Sequence, residues 1–213
     1  MGKIVVFGAG GRAGRRVVAE AAARGHTVTA VVRDPRAWVA PADDRVAVVA
    51  GDVTDAASVA AVSAGHDAAV TAAARLDVPA VDFYTAATSA LVTGLAAAGV
   101  PRLVLVGIGS ALEVAPGSRM LDDPGFPADH RAFALGHVAQ LDVLVGASLD
   151  WVVLAPPPMF LDDSAARTGR YRTGDAAVLS PPSGSFSYAD LAVALVDEVE
   201  APRHHRALVA VGT

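Results

Sequence analysis

Short continuous apolar runs recur along the chain, and most are followed by a stretch with helical spacing. Ile4, Val5, Val6 and Phe7 form the first run, the pattern of a strand buried on both faces. Gly8, Gly10, Gly11 and Gly14 follow and lead into a helix with Val17, Val18, Ala21 and Ala22 on one face. Arg16, Glu20 and Arg24 stand four residues apart on another face, as a solvated ion-pair ladder would. Gly25 ends this helix in the C′ position. Thr27 to Val32 is β-branched and reads as a second strand. Asp34 then caps a short turn or helix with Pro35 at its first position.

Arg45 to Ala50 reads as a third strand, and Thr54 or Asp55 caps a helix to about Val62. His66 to Thr71 is a fourth strand, Val78 to Gly99 an Ala-rich helix starting near Pro79, and Arg102 to Val106 a fifth strand ending in Gly107-Ile108-Gly109-Ser110. Ala111 to Pro127 breaks into Gly, Pro and Asp, the composition of ordered but irregular chain. A helix resumes at Pro127 or Ala128 and runs to about Gly146. Leu149 to Leu154 is a sixth strand, closed by Pro156-Pro157-Pro158. Gly169 to Leu179 resembles a small two-stranded excursion around Thr173-Gly174-Asp175. Tyr188 to Val199 is an amphipathic helix and Ala207 to Val211 a last strand.

Strand and helix thus alternate six times at spacings that suit parallel crossovers. This predicts an α/β chain: one domain, residues 1–213, built as a Rossmann-type doubly wound and mainly parallel sheet with a small C-terminal excursion. The irregular segments gather at about 107–128 and 156–187, after the fifth and sixth strands. In such a sheet those ends line the ligand crevice.

Composition narrows the classes. The mean hydropathy is +0.44, but no apolar stretch reaches the roughly 18 residues of a membrane span. No signal-like segment precedes the strand that begins at Lys3, so the expected setting is the cytoplasm. The chain has no cysteine, which excludes disulfides, thiolate catalysis and zinc–sulfur sites. A net charge of −5 with no basic stripe argues against a nucleic-acid partner. The expected partner is a small-molecule acceptor, met by a monomer or homodimer. Lys3 is the only lysine.

The glycine turn, placed between a strand and a helix, points to a dinucleotide, because glycines let the backbone approach a diphosphate at a helix N-terminus. Gly8, Ala9, Gly10, Gly11, Arg12, Ala13 and Gly14 would form the cradle. Gly8, Gly11 and Gly14 fit one spacing and Gly8, Gly10 and Ala13 another, and the sequence does not choose between them. Arg12, Arg15 and Arg16 stand where the helix dipole disfavours cations. A phosphate would compensate Arg12, while Arg15 and Arg16 would point into water. Arg33, directly off the second strand, suits the 2′-phosphate of NADP; NAD, held through Asp34, is the alternative. Asp52 and Val53 follow the third strand at the expected adenine edge, where Asp52 either accepts from the adenine amino group or finishes a turn ahead of Thr54. Ala72, Ala73 and Ala74 follow the fourth strand, small enough for a ribose or nicotinamide to lie against backbone.

The pieces GAGGRAG, VVRDP and GDVTD with the Ala-rich end of the fourth strand resemble the atypical short-chain dehydrogenase/reductase group. Within it the chain is similar to the NAD(P)H-binding family named for NADH-flavin reductases, in the NmrA-like and biliverdin reductase B-like branch. Leu149-Asp150-Trp151, Arg167 to Arg172 and Ser187 to Ala192 carry the same resemblance, which covers nearly the whole chain. It implies NADPH or NADH as cofactor and a flavin as a candidate substrate.

The chain departs from that group at the tyrosine–lysine pair, in which a lysine four residues on lowers the tyrosine's pKa. Tyr84, Tyr171 and Tyr188 all lack it. Ser110 matches the position where the superfamily places a serine, though a plain turn serine fits as well. His137, on the helix that would have carried the pair, is a candidate proton donor or a solvent-facing side chain; it and His130 are too far apart to chelate a metal. No metal site is expected: Asp122-Asp123 and Asp162-Asp163 read as solvated loop pairs, and His204-His205 as surface. The expected activity is hydride transfer from the dinucleotide to a flavin or similar planar acceptor. The alternatives are a non-catalytic NADP(H) sensor and, third, an epimerase or dehydratase acting on nucleotide sugars.

Overall fold

Strand β1 (Lys3–Phe7) sends alternate side chains into two separate cores. Ile4 and Val6 pack with Val17, Val18, Leu191 and Leu195; Val5 and Phe7 pack with Val59, Leu91, Leu95 and Leu144. That division is why the run is continuously apolar: both faces of the sheet are covered by helices.

The computed structural model describes residues 1–39, 41–157, 161–181 and 184–213. After β1 come α1 (Arg12–Ala23), β2 (Thr27–Val32), β3 (Val46–Ala50), α2 (Ala56–Ser63), β4 (Ala68–Thr71), α3 (Ala80–Ala98) and β5 (Arg102–Val106). A hairpin, β6 (Glu113–Ala115) and β7 (Ser118–Arg119), precedes α4 (Ala128–Val145) and β8 (Asp150–Ala155). The chain ends with β9 (Leu161–Asp162), β10 (Arg172–Thr173), β11 (Phe186–Ser187), α5 (Tyr188–Glu200) and β12 (Ala207–Gly212). The main sheet has eight strands in the order β10-β12-β8-β5-β4-β1-β2-β3, all pairs parallel except the β10–β12 edge. Helices α1 and α5 pack together, as do α2 with α3 and α3 with α4. The chain reverses its winding between β1 and β4, so the crevice of this doubly wound sheet opens above that pair.

The helix ends follow their sequence signals. Gly25 (φ +87°) and Gly99 (φ +71°) take the left-handed conformation after α1 and α3, and the Asp55 carboxylate, rather than Thr54, caps α2 by accepting from the Ala57 amide at 2.9 Å. Pro158 of the proline triplet lies outside the described residues. No helix among the described residues is long and apolar enough to cross a membrane.

Two expectations are corrected. Gly169 to Leu179 forms no hairpin of its own; Arg172 and Thr173 pair antiparallel with Gly212 and Val211, and Gly174 donates to the Ala210 carbonyl at 2.9 Å. Without this segment β12 would present a free row of donors and acceptors at the sheet edge, and β10 satisfies part of it. The stretch from Ala111 to Pro127, expected to be irregular, contains the β6–β7 hairpin. The Arg131 guanidinium gathers its far end, donating to the carbonyls of Leu121, Asp123 and Phe126.

Candidate dinucleotide site

The glycine turn sits at the carboxyl end of β1, at the switch point. Gly8 has φ +72°, and a Cβ there would come within 2.6 Å of the Ala73 backbone, so only glycine lets the turn lie against the segment leaving β4. At Gly14 a Cβ would stand 2.1 Å from the Gly8 carbonyl oxygen, which fixes how closely α1 approaches the turn. At Gly10 the nearest atoms would be 3.7 Å away, an ordinary contact. The close-packing roles therefore fall to Gly8 and Gly14, and the spacing in use is Gly8, Gly11, Gly14. Ala9 is buried beneath the turn and donates to the Val31 carbonyl at 3.3 Å.

Gly11 stands at the N-cap with no side-chain cap. The first helical bond is from the Arg15 amide to the Gly11 carbonyl, 3.0 Å, so the amides of Arg12, Ala13 and Gly14 head the helix as open donors. Arg12 is exposed, and its guanidinium lies 5.3 Å from the centre of the Tyr188 ring. Arg15 and Arg16 do not run into water as expected. Both reach Asp163, at 2.9 and 3.2 Å. Nor is Arg16–Glu20–Arg24 a solvated ladder, because Glu20 is buried and pairs with Arg24 and with Arg167.

Arg33 leaves the end of β2 exposed and takes no carboxylate among the described residues. Asp34 does the capping job read from the sequence, accepting from the Arg36 amide at 3.0 Å. One oxygen of Asp52 accepts from both the amide and the hydroxyl of Thr54, at 2.9 and 2.7 Å. Those bonds, with the fields of Arg75 and Arg33, hold its carboxyl below the usual range. Asp52 thus finishes a turn and keeps its second oxygen in reserve. Val53 packs toward Phe83, Tyr84 and Ala87. From β4 the Ala72 amide donates back to the Phe7 carbonyl at 3.0 Å, which sets Ala72, Ala73 and Ala74 beside the glycine turn. Arg75, next along, had no local signal in the sequence; it is paired through both nitrogens with Asp77, whose carboxyl it holds down to about 2.

Ser110 lies in a single helical turn after β5, 1% exposed, and its hydroxyl has no partner among the described residues. His137 is buried, not solvent-facing. It stacks against Tyr84 with ring centres 4.1 Å apart, packs edge-on to Phe133 and meets the Gln140 side-chain oxygen at 3.3 Å. Burial pushes its pKa down to about 4, against a smaller upward pull from Gln140. At neutral pH it is an uncharged imidazole, so the proton-donor role expected of it does not take the form of an imidazolium. Its helix position alone did not reveal this, because the aromatic wall comes from α3 and the first half of α4.

The tyrosines are otherwise committed. Tyr84 is buried, which raises its pKa. Tyr171 is raised by burial and by donating to Asp197, and Tyr188 lies under Arg12. Lys3 begins β1, at the far end of the sheet from the turn. That far end also carries a groove of about 690 Å³ beside His26, Asp67, Arg102 and Glu200, walled by the His26–Glu200 hydrogen bond and the Arg102–Asp150 ion pair. The loop carboxylates are structural: Asp122 binds the Arg119 amide, Asp123 the Gly125 amide, Asp162 the Ser164 amide and hydroxyl, and Asp163 the two arginines of α1. His205 is exposed, as expected, and meets Asp150, while His204 is half-buried against Glu198.

A family model described as NAD(P)H-binding matches residues 8–202. YwnB of Bacillus subtilis is 34% identical over 208 residues, spanning 95% of this chain and 94% of YwnB. A crystal structure from Burkholderia pseudomallei, provisionally named an exported protein, superposes with a TM-score of 0.87 at 38% identity over 100% of both chains. Another from Streptococcus pneumoniae, provisionally named an NADH-flavin reductase, superposes with a TM-score of 0.85 at 26% identity over 99% of both chains.

Proposed function

The chain belongs to the NAD(P)H-binding family, and from that premise we propose that it is an NADPH-dependent oxidoreductase that passes hydride to a flavin or a similar planar acceptor. The residues fit a dinucleotide. Gly8 is pressed on Ala73, Gly14 on Gly8, the uncapped amides of α1 await a diphosphate, and Arg33, one strand away, is exposed with no carboxylate partner among the described residues. The reduced nicotinamide, when bound, supplies the hydride. The protein's part is to hold it: the turn orients the diphosphate, Arg33 takes the 2′-phosphate, the alanines after β4 let the ribose lie on backbone, and the Ser110 hydroxyl bonds the nicotinamide or the acceptor.

The observation that carries the choice of acceptor is that no tyrosine has a lysine four residues on to make it an acid, and burial raises the pKa of Tyr84. Alcohol–ketone chemistry, and the sugar chemistry of epimerases and dehydratases, needs such an acid. A flavin ring does not, because solvent delivers the remaining proton and the protein only aligns two rings. The name of the Streptococcus pneumoniae neighbour agrees with this reading. The proposal includes a cytosolic setting, where reduced dinucleotide is supplied.

The test is to mix the purified protein with NADPH or NADH and FMN, FAD or a quinone, and follow loss of dihydronicotinamide absorbance. Turnover with at least one acceptor is expected. Saturable dinucleotide binding without turnover on any acceptor would overturn the catalytic reading in favour of an NADP(H)-binding sensor.

A further inference from the structure

Among the described residues, Arg12 is the arginine of α1 that no carboxylate holds. Asp163 takes Arg15 and Arg16, and Glu20, Asp197 and Glu200 take Arg24. Arg12 instead has its guanidinium over the ring of Tyr188, 5.3 Å from the centroid. It stands at the first helical position, where the dipole repels a cation and a flexible side chain has every reason to swing away. An acidic neighbour would fix it but would also cancel its charge and occupy its donors. An aromatic face fixes it and leaves both free.

The ring is itself firmly placed. Tyr188 opens α5 directly after buried Phe186 and Ser187. The Ser187 hydroxyl accepts from the Asp190 amide at 2.8 Å. Buried Asp190 in turn accepts from the amides of Thr168 and Gly169, at 2.9 and 2.7 Å. The Tyr188 hydroxyl has no hydrogen-bond partner among the described residues, so the ring and not the hydroxyl is what this position uses.

We propose that Tyr188 is a positioning residue that holds Arg12 beside the uncapped end of α1, so that its guanidinium meets the diphosphate of the dinucleotide. The inference rests on the dinucleotide reading above and adds to it the residue, 176 positions along the chain from Arg12, that keeps the phosphate ligand in place. Holding Arg12 in advance removes an ordering cost at binding.

Calorimetric titration of the full chain with NADPH, ADP-ribose and adenosine 2′-monophosphate tests it. Tyr188→Leu is expected to weaken NADPH and ADP-ribose about three- to fivefold, the size of an exposed cation–π contact. The monophosphate, which lacks the diphosphate, should bind as to wild type and so also reports that the variant is folded. Tyr188→Phe should bind all three as wild type does. In an Arg12→Ala background the Tyr188→Leu loss should vanish. Overturning results are equal affinity of Tyr188→Leu and wild type for NADPH, failure of Tyr188→Phe to rescue, or a loss that persists without Arg12. Should wild type bind neither NADPH nor ADP-ribose, the dinucleotide reading itself falls and the inference with it.

Discussion

Arg167 meets Glu20 in two hydrogen bonds of 2.8 Å between side chains 147 residues apart. Glu20 is 8% exposed and also accepts from Arg24 at 2.8 Å, so one buried carboxylate ties the segment after β9 to the first helix. Arg167 pulls the Glu20 carboxyl down, burial pushes it up, Arg24 pulls it down again, and the net result is below the ordinary value of 4.5. A depressed acid contributes stability that is fully present above its unfolded pKa and is lost as pH falls through the folded value. Glu20→Gln should therefore cost about 1–2 kcal/mol at neutral pH, with the gap from wild type closing in acid. Urea midpoints at both pH values check this, and trypsin should cut at Arg167 and Arg170 faster in the variant.

The glycine turn gives a sharper contrast. Gly14→Ala puts a methyl 2.1 Å from the Gly8 carbonyl oxygen and 2.9 Å from the Ala9 Cα, all backbone that cannot give way cheaply. It should destabilise the fold by about 3 kcal/mol or abolish soluble expression. Gly10→Ala meets only the Trp38 ring and a Val32 methyl at 3.7 Å and should leave the melting temperature nearly unchanged. Equal tolerance at both positions would mean that α1 does not pack on the turn as described.

This contrast marks how far the sequence could be read. The parallel strands and the five helices of the described residues announce themselves because continuous apolar runs, glycine C-caps and proline starts are local signals. The residues proposed to face the cofactor stood out because each follows a strand directly. What local pattern does not hold is the partner supplied from afar. Asp163 for Arg15 and Arg16, Arg167 for Glu20, and Tyr188 for Arg12 all come from the last quarter of the chain. Nothing near Gly10 or Ala13 distinguished the two glycine spacings either, since the deciding contact is between Gly14 and Gly8 across the turn. The burial of His137 was hidden for the same reason: its neighbours Tyr84 and Phe133 define a wall only after α3 and α4 pack.

Ser110 separates stability from function. Its hydroxyl is buried with no partner among the described residues, a cost in the free protein that a ligand would relieve. Ser110→Ala should leave the urea midpoint equal to or slightly above wild type, while NADPH-dependent turnover falls about tenfold, the loss of roughly one hydrogen bond to a desolvated group. A large fall in stability with unchanged turnover would assign the hydroxyl to packing.

Arg33 is the residue proposed to select NADPH over NADH. It is exposed at the end of β2 and takes no carboxylate among the described residues, while Asp34 beside it is spent on the Arg36 amide and guanidinium. Arg33→Ala should weaken NADPH by tenfold or more, as expected for loss of a charge-assisted contact to phosphate, and leave NADH within about twofold. Calorimetry with the two cofactors reads this directly. Equal losses would move the 2′-phosphate away from Arg33.

His137 should set a second, independent acid limit. In the unfolded chain it takes up a proton near the ordinary 6.5, whereas in the folded protein burial holds that event down to about 4. Between those values the unfolded state binds the extra proton, so folding stability rises with pH and is lost on acidification from 6.5 toward 4. The loss approaches about 1.4 kcal/mol per pH unit, or roughly 3 kcal/mol in all. Replacing the ring with one of similar size that cannot titrate, His137→Phe, keeps the stack on Tyr84 and removes the proton uptake. Urea unfolding from pH 7.5 to 4.5 should show a shallower acid slope for His137→Phe than for wild type, with Glu20→Gln acting additively because the two residues share no partner. Parallel slopes for His137→Phe and wild type would show that the imidazole is not held neutral in the fold.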